Sequence, residues 1–140
     1  MTITLEEKDA FKKKILGEMT VDYANNLQKN FDQAKQYVRI TSVGSVDVLV
    51  REKLNGMEQI LLYLMGKMYA KEGGLTSTDE VPNEELEREL QMKTGSLLPY
   101  LKELRDKNLI NRVSHGGISY HSLRISEIEN VLKTVEKKVK

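Results

Sequence analysis

Residues 94–123 read TGSLLPYLKELRDKNLINRVSHGGISYHSL, and this stretch decides the fold of the chain. Its first half carries leucines at spacings of three and four residues, the pattern of one face of a helix. These leucines are Leu97, Leu101 and Leu104. Asn108 tolerates the left-handed conformation that ends a helix, and Leu109 and Ile110 then begin a strand. The stretch therefore begins with a helix and continues into a strand that packs back onto the core.

The second half of this stretch is the clearest hairpin in the chain. Gly116 and Gly117 supply the positive φ angles that a tight two-residue turn requires. With these glycines as the turn, the predicted cross-strand pairs are His115–Ile118, Ser114–Ser119, Val113–Tyr120 and Arg112–His121. Because side chains alternate along a strand, Arg112, Ser114, Ser119 and His121 share one face. That face is polar throughout, so we expect His121 to lie in solvent or beside a phosphate.

A short helix precedes the leucine-rich one. Asn83 is the predicted N-cap, and Leu86 and Leu90 are its inward positions. The polar turn around Gln91 and Lys93 then separates two short helices. This is the helix-turn-helix arrangement, which lets the second helix project from the domain.

Three further regions complete the predicted architecture. Residues 5–19 and the segment from Thr20, a predicted N-cap, to Val38 show helical periodicity, and residues 38–50 alternate as a hairpin would. Met57 to Lys71 forms one broad apolar helix face before Gly73-Gly74. The last helix has a heptad seam, which suits either a paired helix in a dimer or packing on the protein's own N-terminal helices. The seam residues are Ile125, Ile128, Leu132, Val135 and Val139.

The predicted fold class is mainly α with small β-hairpins (α+β). An N-terminal helical hairpin and β-ribbon occupy residues 1–55, a winged helix-turn-helix occupies residues 56–124, and a C-terminal helix occupies residues 125–140. Two amphipathic N-terminal helices cannot bury their faces alone, so we expect them to pack on each other, on the C-terminal half or on a second copy.

Composition narrows the function classes. The 140 residues carry 22 basic and 21 acidic side chains and no cysteine, which excludes disulfides and cysteine-ligated zinc. No run approaches the roughly 18 apolar residues of a membrane span, so we expect a cytoplasmic protein with no membrane partner. The two histidines, His115 and His121, fall on opposite faces of the hairpin and cannot readily share a metal. The sequence also has no nucleophile elbow, no phosphate-cradling glycine loop and no HExxH helix, so we expect no enzyme activity, no metal and no cofactor.

The run from Asn83 to Leu123 resembles the winged helix-turn-helix of prokaryotic transcription regulators, broadly of the MarR and PadR kind. The resemblance is carried by Ser96-Leu97, Tyr100-Leu101-Lys102-Glu103-Leu104, Asn108-Leu109-Ile110 and the glycine hairpin. It implies that the second helix enters the major groove of double-stranded DNA and that the hairpin, or wing, touches the backbone. The DNA-binding residues that it implies are Lys93, Thr94, Ser96, Pro99, Tyr100, Lys102, Arg112, Ser114 and His121.

The chain departs from that family pattern at Leu98 and Pro99, where such regulators usually place polar or basic side chains. Direct base contacts would then rest on Ser96, Lys102 and Tyr100. Phosphate contacts would come from basic residues that fix position without specifying sequence. These are Lys93, Lys102, Arg105, Arg112 and Arg124.

The function expected from this resemblance is a DNA-binding transcription regulator that acts as a homodimer. One alternative is a winged helix that binds a protein partner through Leu98-Pro99-Tyr100, and a second is a regulator with an effector pocket between its halves. The discriminating feature is charge. Convergence of Lys93, Lys102 and Arg112 on a face free of Glu84, Glu85 and Glu87 favours DNA, and glutamates on that face favour the protein partner.

Overall fold

The structure is a computed structural model that describes residues 2–19 and 22–140. Within these residues the chain forms helices and two small antiparallel sheets, which confirms the predicted mixture of helices and small hairpins. The helices are α1 (Leu5–Glu18), α2 (Tyr23–Lys29), α3 (Phe31–Ala34), α4 (Gly56–Glu72), α5 (Asn83–Leu90), α6 (Thr94–Asp106) and α7 (Ile128–Val139). The strands are β1 (Val38–Ile40), β2 (Val46–Val48), β3 (Val81–Pro82), β4 (Ile110–His115) and β5 (Ile118–Leu123).

Helix α4 is the centre of the fold. A capping box begins it, in which Asn55 and Glu58 each accept a hydrogen bond from the other's backbone N–H. It ends at Glu72, and Gly74 follows with a φ of 80°. The sequence predicted one apolar face, but every residue from 60 to 68 is buried. The reason is that β1 and β2 cover α4 from one side while α6, α7 and β5 pack elsewhere around it.

The ribbon of β1 and β2 confirms the predicted hairpin. Val38 pairs with Val48 and Ile40 with Val46. The ribbon approaches α4 closely at Gly66, where an added Cβ would lie only 2.4 Å from Val46 Cγ1. Glycine is therefore required at this position because any side chain would push the ribbon away from the helix.

Of the predicted N-terminal helices, α2 packs on the C-terminal half, since Leu27 is buried and α2 contacts α4, whereas α1 is not buried within the chain. No side chain of α1 is buried, since Lys8 and Lys12 lie on the same side of the helix as Ile15 and Met19 and interrupt its apolar stripe. The second predicted helix is broken at Asn30 into α2 and α3. Thr20, its predicted N-cap, lies outside the described residues, and the cap of α2 is Asp22, whose Oδ1 accepts from the N–H of Asn25 at 3.1 Å.

The C-terminal helix packs on its own chain. Val131, Leu132 and Val135 are buried, and α7 contacts α4. Helix α7 also contacts α3, because Gln33 Nε2 donates a hydrogen bond to Glu136 Oε2 at 2.9 Å. The seam is therefore covered within the chain, but chiefly by α4 and not by the N-terminal helices that one alternative named, and its buried residues are not available to a second copy.

The second sheet has the order β3-β5-β4. The pairing of β4 with β5 matches all four predicted pairs, from His115–Ile118 to Arg112–His121. The short strand β3 was not predicted, and it makes β5 the central strand because Val81 pairs with His121. No helix within residues 2–19 and 22–140 combines the length and apolar character that crossing a membrane requires.

Candidate nucleic-acid interface

A pocket of about 300 Å³ lies between α6 and the sheet of β4 and β5. Basic side chains from both elements, with polar and apolar neighbours, form its walls. The lining residues are Asn83, Leu98, Leu101, Lys102, Arg105, Arg112, Ser119 and His121. Three of the predicted DNA-binding residues are therefore brought together here, namely Lys102, Arg112 and His121.

Packing of α6 aims its basic side chains at this pocket. Leu97, Leu101 and Leu104 are buried and hold one face of α6 against the core, as predicted. Lys102 and Arg105 are three residues apart and so share one flank of the helix. From the sheet, the pairing of Arg112 with His121 places both side chains on the face that the pocket meets.

The basic groups of the pocket differ in their partners. Lys102 Nζ lies 3.2 Å from Asp106 Oδ2, and both side chains are largely exposed. The guanidinium groups of Arg105 and Arg112 form no ion pair or hydrogen bond with the described residues. Two positive charges thus face one pocket without a carboxylate to balance them, which produces a positive potential there.

His121 is the buried polar group of the pocket, with only 1% of its surface exposed. Its Nε2 lies 2.6 Å from Asn83 Oδ1, which can only accept, so Nε2 carries the hydrogen. Its Nδ1 is buried and has no hydrogen-bond partner among the described residues. Burial, together with the charges of Arg105 and Arg112, lowers the pKa of His121 to about 4.

The expectation that His121 lies in solvent is therefore wrong. The polar face of the hairpin turns inward at its base, because β3 pairs along β5 and the start of α5 covers His121. The predicted cap at Asn83 is also wrong. Pro82 is the N-cap of α5 and makes no side-chain cap bond, which leaves the Asn83 side chain to reach His121.

The other predicted residues lie outside the pocket. Tyr100 is half-buried against the start of α4, where a Cβ added to Gly56 would lie 2.4 Å from its Cε2. Its contact with the core faces away from Lys102, since two residues differ by about 200° on a helix. Thr94 donates a hydrogen bond to the Glu87 carboxylate. The remaining four are exposed but do not line the pocket: Lys93, Ser96, Pro99 and Ser114.

The glutamates of α5 also lie outside the pocket. Glu84 pairs with Arg88, and Glu87 accepts from Thr94. Glu85 accepts from Tyr63 and lies 3.1 Å from the buried Lys67 Nζ. The charge criterion named Lys93, Lys102 and Arg112. Lys102 and Arg112 line this pocket and none of Glu84, Glu85 and Glu87 does, but Lys93 does not line it either, so only two of the three basic residues converge.

The pocket contains two polar residues that sequence reasoning missed. Ser119 shares a hairpin face with His121, so strand alternation was the signal for it. No local pattern indicates that Asn83 would contact His121, because the two are 38 residues apart. Arg105 was named only as one of several basic residues that could contact phosphate.

His115 lies on the exposed outer face of the hairpin, where its Nε2 is 3.1 Å from Glu80 Oε2. Across residues 2–19 and 22–140, no group of three or more histidine, aspartate and glutamate side chains is placed to hold a metal ion. Comparisons of the chain with family models, with curated proteins and with solved structures found no match.

Proposed function

We propose that this chain is a winged helix-turn-helix protein that binds double-stranded DNA. Helix α6 would enter the major groove, and the β4–β5 hairpin would be the wing that contacts the backbone. The observation that carries the proposal is the convergence of Lys102, Arg105 and Arg112 between these two elements, away from the glutamates of α5. Such a cluster matches the phosphates of a duplex.

The composition of α6 indicates how the DNA would be bound. Pro99 offers no hydrogen bond from its side chain, Leu98 is 48% exposed and Tyr100 packs toward α4. Few side chains therefore remain for base edges, and the arginines suit phosphate oxygens. We expect affinity to come mainly from the backbone and sequence discrimination to be modest.

A regulator of transcription would act as a homodimer that presents two copies of α6 to neighbouring major grooves. The element that we propose for dimerisation is α1, because the α7 seam is buried within the chain. Phe11 in α1 is 64% exposed, and Leu5 and Met19 are exposed still further. Pairing of α1 between two copies would cover these apolar side chains.

The test of dimerisation is sedimentation velocity of the wild type and Phe11→Asp. We expect the wild type to sediment as a dimer and the variant as a monomer with an unchanged circular dichroism spectrum, since no side chain of α1 is buried. Val43→Asp is the control, because Val43 is 84% exposed in the β1–β2 turn. A monomeric wild type at tens of micromolar would refute the proposed dimer and leave DNA binding open to its own test.

A second candidate function is docking of a protein partner on α6. Leu98 and Pro99 form an exposed apolar corner, and the charge of Lys102 is partly balanced by Asp106. Apolar docking depends weakly on salt, whereas binding to DNA phosphates weakens steeply as salt rises. Salt dependence therefore distinguishes the two candidates.

The decisive experiment is fluorescence anisotropy with a mixed-sequence duplex at several salt concentrations. We expect Arg105→Gln and Arg112→Gln each to weaken binding and to reduce the salt slope by about 1, as the loss of one phosphate contact does. Arg88→Gln is the matched control because Arg88 lies on α5 outside the pocket. Absence of duplex binding at low salt, or equal losses in all three variants, would overturn the proposal.

A further inference from the structure

A candidate ligand site lies in the same pocket between α6 and the β4–β5 hairpin. Arg105 and Arg112 face it without acidic partners, and Ser119 adds a hydroxyl. His121 also lines the pocket but is almost fully buried, and its Nδ1 has no hydrogen-bond partner among the described residues. Buried polar atoms are rarely left unpaired in proteins, so an unpaired one beside two free guanidinium groups points to a ligand.

We propose that Arg105, Arg112, Ser119 and His121 form a binding site for a single tetrahedral phosphate group, whose binding draws a proton onto His121. The inference rests on the proposed function only for the source of the phosphate, which is either the DNA backbone or a free phosphate or phosphomonoester. Arginine suits this ligand because its planar fork can donate two parallel hydrogen bonds to an oxyanion.

The uptake of a proton by His121 follows from the hydrogen bonds that its imidazole can make. Because Nε2–H donates to Asn83 Oδ1, Nδ1 of the neutral imidazole carries no hydrogen. A deprotonated phosphate oxygen can only accept a hydrogen bond, so a contact between such an oxygen and Nδ1 requires that this nitrogen take up a proton from water. The resulting imidazolium donates from both nitrogens, one to Asn83 and one to the oxyanion.

The charges around His121 set the direction of this effect. Lys102 and Arg105 on α6 and Arg112 on β4 face the pocket, while α5 contributes Asn83 and β3 contributes Val81, so no carboxylate lines it. Burial and the two guanidinium groups disfavour the imidazolium. An arriving anion, either a phosphodiester monoanion or a dianion such as sulfate, offsets this positive potential and raises the pKa of His121. Binding is therefore linked to proton uptake and strengthens as the pH falls.

Sulfate is the probe for this linkage because it remains a dianion between pH 5 and pH 7, whereas phosphate changes its own charge. If sulfate returns the pKa of His121 from about 4 to 6.5, affinity should be about 20-fold tighter at pH 5 than at pH 7. We would titrate sulfate at constant ionic strength and follow the His121 ring by two-dimensional proton–nitrogen NMR. The expected result is saturable binding together with a rise in the pKa of His121.

Arg105→Gln and Arg112→Gln should each weaken sulfate binding at least tenfold, and Arg88→Gln should leave it unchanged. The inference is overturned if sulfate shows no saturable binding, if Arg88→Gln weakens it equally, or if the pKa of His121 does not respond. Since both arginine side chains reach the surface, these variants are expected to fold.

A competition experiment identifies the source of the phosphate. Displacement of a bound duplex by sulfate at constant ionic strength would support a backbone phosphate in the pocket. Binding of sulfate or inorganic phosphate without displacement of duplex would support a free phosphate ligand. Failure of the two proposals is distinguishable, because duplex binding without a sulfate site overturns only this inference, and a sulfate site without duplex binding overturns only the proposed function.

Discussion

The buried histidine predicts a specific loss of stability in acid. The pKa of His121 is 6.5 in an unfolded chain and about 4 in the folded protein, where burial and the two arginines disfavour the imidazolium. Between these pH values the unfolded state binds more protons, so the free energy of unfolding falls as the pH falls. The contribution of neutral His121 to the free energy of unfolding is complete above pH 6.5 and is lost as the pH falls through 4.

The size of this loss follows from the difference of two and a half pH units between the folded and unfolded values. Each pKa unit corresponds to about 1.4 kcal/mol, so neutral His121 stabilises the folded protein by about 3 kcal/mol at neutral pH, and this stabilisation is absent in acid. Carboxylates also titrate in this range, so the comparison must be made with a variant that shares them. His121→Gln retains an amide that can bond to Asn83 but does not titrate.

The assay is urea unfolding of the wild type and His121→Gln from pH 7 to pH 4, in buffers free of sulfate and phosphate. We expect the wild type to lose about 3 kcal/mol more than the variant across this range. His115→Gln is the matched control because His115 is exposed on the other face of the hairpin, and it should follow the wild type. Parallel curves for the wild type and His121→Gln would refute the argument that His121 is buried neutral.

Three further substitutions test the packing around α4. Gly66→Ala should destabilise the fold by about 1–3 kcal/mol in urea unfolding, because the new Cβ would lie 2.4 Å from Val46 Cγ1. Lys67→Met should cost about 3–5 kcal/mol in the same assay, since it leaves Glu85 half-buried without its cation at 3.1 Å. Asn55→Ala removes the capping box of α4 and should lower the free energy of unfolding by about 1 kcal/mol, measured as a shift in the urea midpoint.

Each of these substitutions has a control elsewhere in the chain. Gly95→Ala meets no atom within 4 Å and should not destabilise α6, so an equal loss would contradict the Gly66 argument. Lys133→Met removes only an exposed i,i+4 pair and should cost less than about 1 kcal/mol. Thr4→Ala removes the N-cap of α1, which buries no side chain, and should leave the cooperative transition unchanged. A loss for Thr4→Ala as large as that for Asn55→Ala would show that α1 is part of the core.

Local patterns in the sequence were sufficient to predict several elements of the fold. The two glycines and the alternation around them predicted the register of β4 with β5, pair by pair. The leucine spacing predicted the buried face of α6, and Asn108, at a φ of 60°, has the left-handed conformation expected after it. These features depend on residues close in sequence, where backbone geometry and side-chain periodicity operate directly.

The tertiary structure decided which faces are covered. Periodicity placed His121 on a polar hairpin face, but β3 and the start of α5 bury that end of it. Periodicity also gave α1 and α7 apolar stripes, and only the fold shows that α7 is covered by its own chain while α1 is not. An amphipathic pattern specifies that a face needs a partner and not which segment supplies it, because that partner comes from distant parts of the chain. The pocket is such a case, since Asn83, Arg105 and Arg112 meet only after α5, α6 and the hairpin have packed together.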